Sequence, residues 1–102
     1  MNPSIGRIVH YTLTEQDADA VNSRRSDSGR HAAEHRENAN GVQVHTGNPT
    51  AAGDVFPMLI TRVWPGETLV QGQVFLDGND ALWVTSVSEG TGPRTYAWPP
   101  RI

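Results

Sequence analysis

The sequence predicts a mainly β fold: a small SH3-like barrel of about five strands, with one short helix in an insertion after the first strand. Three observations carry that expectation. Apolar residues crowd into short runs with a period of two between positions 55 and 98. Tight-turn signals separate those runs, at Pro65-Gly66, Asp77-Gly78 and Gly90-Thr91-Gly92-Pro93. Between positions 14 and 52 apolar residues are sparse, so the core is built by the C-terminal half and the first dozen residues.

With 102 residues the chain fits one domain, 1–102, in which 14–47 forms a helical or irregular insertion. Residues 5–13 read as the first strand. Val9, Tyr11 and Leu13 share one face with Ile5 and Arg7, and Ile8, His10 and Thr12 lie on the other. Thr14-Glu15-Gln16-Asp17 then starts a helix, with Thr14 as the cap and Asp17 at its third position. Ala18 and Val21, with Ala20, make a thin apolar face that must lean on the barrel. The helix is expected to reach about Arg25, where Arg24 and Arg25 meet the carbonyl end, and to break at Ser26-Asp27-Ser28-Gly29.

Residues 30–37 allow another helical turn, and residues 42–45 a short strand or extended lead-in. Strands follow at 54–64, 69–76, 81–87 and 95–98. Pro57 fits a strand beginning. In the third strand Val70, Gly72, Val74 and Leu76 share a face. In the fourth, Trp83, Thr85 and Val87 alternate against Leu82, Val84 and Ser86. The first strand pairs with the last or the longest to close the sheet.

Composition excludes some function classes. Cysteine is absent, so there is neither a disulfide framework nor a thiolate metal site. No apolar run reaches the ~18 residues that cross a bilayer, and the first residues lack a signal-peptide pattern. No membrane partner is expected, and the cytoplasm is the expected location. The net charge is −3, from 8 basic and 11 acidic residues, and every basic residue is Arg. Duplex nucleic acid, which asks for a clustered basic face, is a poor match.

One string looks catalytic. His31-Ala32-Ala33-Glu34-His35 matches H-x-x-E-H, with His31 and His35 one helical turn apart and Glu34 beside them. The match has three fixed positions and no apolar flank, so a solvated polar stretch is the plainer reading. A looser metal site would use His31, His35 and His45. The aromatic set offers more. Small barrels bury most of their aromatic residues, but Trp64 and Trp98 sit at strand ends and are expected to be exposed. Arg62 shares a face with Trp64, and Arg94 and Arg101 add donors. Trp beside Arg makes a platform for a base or a peptide. Arg7, Arg62, Trp64, Trp98 and Arg101 are therefore the candidate contact residues, with no catalytic residue assigned. Asp77, Asp80 and Glu89 read as turn-makers.

The blocks Ser4-Ile5-Gly6-Arg7-Ile8-Val9-His10-Tyr11, Gly53-Asp54-Val55-Phe56-Pro57 and Arg62-Val63-Trp64 carry a family likeness. So do Gln73-Val74-Phe75-Leu76-Asp77-Gly78, Trp83-Val84-Thr85-Ser86-Val87 and the closing Trp98-Pro99-Pro100-Arg101. Over these blocks, about half the chain, the sequence resembles small accessory proteins of actinobacterial tailed phages, mycobacteriophages especially. The resemblance implies a phage origin, a compact barrel, and residues 23–47 as a variable insertion. It implies no reaction.

The expected function is thus a phage accessory binding protein in the infected host cell. It would engage a host protein or sequester a small nucleotide-like molecule such as a defence signal, with no cofactor and with a homo-oligomer allowed. The alternatives are a nucleic-acid-binding small barrel, a minor virion protein, and a metal-dependent hydrolase acting through the His31–His35 string.

Overall fold

The computed structural model describes residues 2–30, 45–66 and 68–100. Five strands, β1 (Ile8–Thr12), β2 (Val55–Val63), β3 (Val70–Phe75), β4 (Ala81–Glu89) and β5 (Thr95–Ala97), close into a barrel. One helix, α1 (Glu15–Arg30), follows β1. Neighbouring strands are antiparallel around the ring, including β1 against β5, except that β4 and β5 are parallel. That parallel pair spans two rungs only, Ser88 with Thr95 and Glu89 with Tyr96. A long crossover is therefore unnecessary. Residues 90–94 make the turn, with Arg94 at φ 62° and its N–H donating to Thr12 O at 2.9 Å.

The alternation read from the sequence builds the core. Val9, Tyr11 and Leu13 from β1 and its exit meet Met58, Ile60, Val70, Val74, Leu76, Val84, Val87 and Tyr96. Gly72 lies on the same inner face of β3, directly against Met58. Pro57 sits where only the β1 side of β2 is paired, because the β3 ladder begins at Met58, so its missing N–H leaves no gap there.

Two bulges change which face the later residues occupy. On β2 the register steps from Ile60–Gly72 to Arg62–Gln71, so Thr61 is the extra residue. Val63 then turns inward, and Arg62 and Trp64 turn out. On β4 the register steps from Val84–Gly72 to Val87–Val70. Ser86 takes φ 54° there, and Val84 and Val87 both point into the core. The single alternation expected for β4, with Val84 opposed to Val87, is therefore wrong after Val84.

Helix α1 starts as the capping pattern requires. Asp17 N–H donates to Thr14 Oγ1 at 2.9 Å, and Thr14 N–H donates back to Asp17 Oδ2 at 3.1 Å. Tyr11 Oη–H also donates to Asp17 Oδ2, at 2.6 Å, which ties the cap to the barrel wall. Burial, with Asp17 beside it, pushes the Tyr11 phenol above the usual tyrosine range. Ala18 and Val21 are buried and Ala20 is exposed. Asn22 exchanges two hydrogen bonds with the Thr50 backbone, 2.8 and 2.9 Å long, and fixes the helix to the segment before β2. Replacing Thr14 with Ala is expected to lower stability by about 1 kcal/mol. Thermal melting checks this as a fall of roughly 4–8 °C.

The helix does not end near Arg25. It runs through Ser26-Asp27-Ser28-Gly29 to Arg30. Helix propensity is a weak local preference, and side chains at Asn22, Arg24 and Arg25 anchor this helix to the barrel. Gly29 falls in the last turn, where a glycine disturbs least. Of the helical turn expected at 30–37, Arg30 belongs to α1 and 31–37 lie outside the described residues, as does most of the strand expected at 42–45. His45 itself is not in a strand, and Gly47 forms an isolated bridge with Gly78.

Candidate binding surface

The strand directions give the barrel two unlike ends. One end collects the start of β1, the end of β2, the start of β3 and the ends of β4 and β5. Arg7 precedes β1 there, Arg62 and Trp64 close β2, and Trp98 follows β5. Four of the five candidate contact residues are thus gathered at one rim. They form two stacked pairs: the Arg7 guanidinium lies 5.1 Å from the Trp98 ring centre, and that of Arg62 lies 4.7 Å from Trp64.

The reason is local in each case. The Thr61 bulge keeps Arg62 and Trp64 on one outward face. Trp98 is fixed by an edge-on contact with Tyr96, 6.3 Å between ring centres, and its Nε1–H donates to Glu89 Oε1 at 3.0 Å. A contact of this kind is worth about 0.5–1 kcal/mol at an exposed site, and it places each guanidinium over an indole before any ligand arrives. Arg101 lies outside the described residues. Trp83 is the most exposed tryptophan, at 60% against 39% for Trp64, and the sequence reading did not single it out.

The opposite end carries a charge cluster that the sequence reading missed. Arg25 reaches Asp80 in bidentate fashion, through Nε at 3.1 Å and Nη2 at 2.8 Å, and donates through Nη1 to Asn48 O. Arg24 Nη2 donates to the same carboxylate at 2.9 Å, and His45 Nδ1 stands 3.9 Å from it. Only 1% of the Asp80 side chain is exposed. The Arg25 hydrogen bonds hold the Asp80 carboxyl below the usual range; burial opposes this, and Arg24 adds to it.

Asp80 is therefore not a simple turn-maker, and Arg24 and Arg25 serve it rather than the helix carbonyls. Gly47 and Gly78 lie back to back beside the Arg25 guanidinium, where a Cβ on either would come within 3.0 Å of it. Beside the cluster opens a cleft of about 530 Å³, lined by His45, Phe75, Leu76, Asn79 and Asp80 among others. Both Asp80 oxygens are engaged by cations, which suits a latch between helix and barrel better than a reacting carboxylate.

Of the residues in the metal reading, His31 and His35 lie outside the described residues. No group of three or more His, Cys, Asp or Glu side chains able to hold a metal occurs among the described residues. His10 is half-buried on the outer side of β1. No helix among the described residues is long and apolar enough to cross a membrane.

No family model matches the chain, and searches of curated proteins and of solved structures find no match. The geometry alone therefore carries the functional reading.

Proposed function

We propose that this chain is a binding module rather than an enzyme, and that its contact surface is the barrel end bearing Arg7 with Trp98 and Arg62 with Trp64. The observation that carries the reading is the pair of stacked guanidiniums at one rim. Arg62, over the Trp64 indole, presents N–H donors for a phosphate or carboxylate, and a half-exposed tryptophan offers a π-face to a base. Between the two partners expected from the sequence, a host protein and a small nucleotide-like ligand, this chemistry fits the nucleotide better. The resemblance to phage accessory proteins supplies a setting, in which a host nucleotide signal is removed by sequestration.

Thermal-shift measurements with linear and cyclic mono- and dinucleotides test the proposal. Ligand at a hundred times its Kd is expected to add about 2.7 kcal/mol of stability. The double variant Arg62→Ala/Trp64→Ala is expected to weaken binding by roughly 5- to 150-fold, from the loss of about 1–3 kcal/mol of stacking. A panel that leaves the melting point unmoved at millimolar nucleotide would refute the nucleotide reading.

A further inference from the structure

The cleft beside Asp80 has two unlike halves. Phe75, Leu76 and Ala81 make an apolar half, and His45, Asn79 and Asp80 a polar one. Ala81 joins them. It is the partner of Phe75 across the β3–β4 ladder, and its carbonyl accepts from Arg24 Nη2 at 3.3 Å. A phenyl ring, 46% exposed, and a guanidinium whose side chain is 31% exposed thus flank one small residue. The volume of about 530 Å³ falls within the range of small-molecule sites.

The polar half is rich in donors and short of acceptors. Asp80 carries the carboxylate of the lining, and it already accepts from Arg24 and, through two nitrogens, from Arg25. Two guanidiniums on one carboxylate leave a surplus positive charge. The Asp77 carboxylate is engaged by Asn48 Nδ2 and does not line the cleft. Arg24 Nε, always a donor, is buried without a hydrogen-bond partner, as is His45 Nδ1. Arg24 therefore gains from an added acceptor nearby, and a ligand that brings oxygen atoms is favoured over one that brings N–H groups.

We infer that this cleft is a second binding site, for a small aromatic carboxylate. The ring packs against Phe75 over the small side chain of Ala81, as aromatic pairs do at close range. The carboxylate meets the exposed part of Arg24, since its planar pair of oxygens matches a guanidinium fork. One surplus charge suits a monoanion better than a doubly charged phosphate ester. The site shares no residue with the rim that bears Trp64 and Trp98, so it does not rest on the nucleotide reading.

Titration of naphthoate to about 10 mM into the isotope-labelled whole chain, followed by amide NMR shifts, tests this, because a dozen heavy atoms bind with a Kd of about 0.1–5 mM. Shifts are expected to gather at residues 75–81 and to leave Trp64 and Trp98 unmoved. Naphthamide, the same ring without the charge, should bind more weakly by about fivefold or more. Ala81→Leu fills the space between ring and guanidinium and should weaken naphthoate binding by about tenfold or more. Arg24→Gln, which leaves the Arg25–Asp80 pair in place, should weaken it by about fivefold or more. Circular dichroism confirms that each variant is folded, and either folded variant suffices. Arg62→Ala/Trp64→Ala should bind naphthoate like the parent, which separates this site from the rim. The proposal is overturned if naphthoate leaves residues 75–81 unshifted, if naphthamide binds as tightly, or if a folded Ala81→Leu or Arg24→Gln variant binds like the parent.

Discussion

Replacing Asp80 with Asn is expected to lower the stability of the fold by about 3–5 kcal/mol, the usual penalty for leaving a buried charge unpaired. The orphaned charge is Arg25, whose side chain is 8% exposed and whose carboxylate partner would be gone. Whole domains of this size have about 5–15 kcal/mol to lose, so the change is large. Urea denaturation at pH 7 measures it. The double variant Arg25→Leu/Asp80→Leu should recover much of the loss, because a well-packed apolar pair of similar volume often replaces a buried ion pair without penalty.

The same carboxylate sets an acid limit. Arg25, more than Arg24, holds the folded carboxyl below its ordinary range. The unfolded chain therefore takes up the proton first. Stability from this group is fully present above the unfolded value, about 3.9, and is lost as the pH falls through the lower folded value. A urea series from pH 7 to 2.5 should show the parent losing this increment, with the Asn variant lacking it throughout. Equal slopes for the two proteins would remove Asp80 from the account.

Gly72→Ala is the second large effect, expected to cost about 1–3 kcal/mol by overpacking. A Cβ on Gly72 would stand 2.6 Å from Met58 Cγ and 2.7 Å from Leu59 O. The methionine can yield, but the carbonyl belongs to the strand next door, so the upper part of that range applies. The melting temperature should fall by roughly 4–8 °C for each kcal/mol. A melting point within about 2 °C of the parent would contradict the close approach of β2 to β3.

Much of this fold was legible because the signals are local. The period-two runs and the turn residues gave all five strands to within a few positions. Thr14 and Asp17 gave the helix start, where the two hydrogen bonds of the cap are formed. The stacking of Arg62 on Trp64 followed from their spacing.

What stayed hidden was non-local or unmarked. Arg25 and Asp80 are 55 positions apart, and neither has a sequence neighbour that announces a partner. Ser86 adopts a left-handed backbone without being Gly or Asn, so the β4 bulge leaves no residue signature. Thr61 is an ordinary strand residue, and its bulge shows only in the register. The helix outlasted its apparent stop because side-chain anchors outweigh one glycine's penalty of about 1 kcal/mol. The pairing of Arg7 with Trp98 needed the first and last strands to be neighbours.

That neighbourhood has a kinetic consequence. β1 is flanked on one side by β2 and on the other by β5, the last of these five strands to be synthesised. Tyr11 therefore cannot meet Tyr96 while the ribosome still holds residues 95–97 in its exit tunnel. Closure of the ring has to wait until residues 95–97 have left the tunnel, and until then the first strand has one side unpaired.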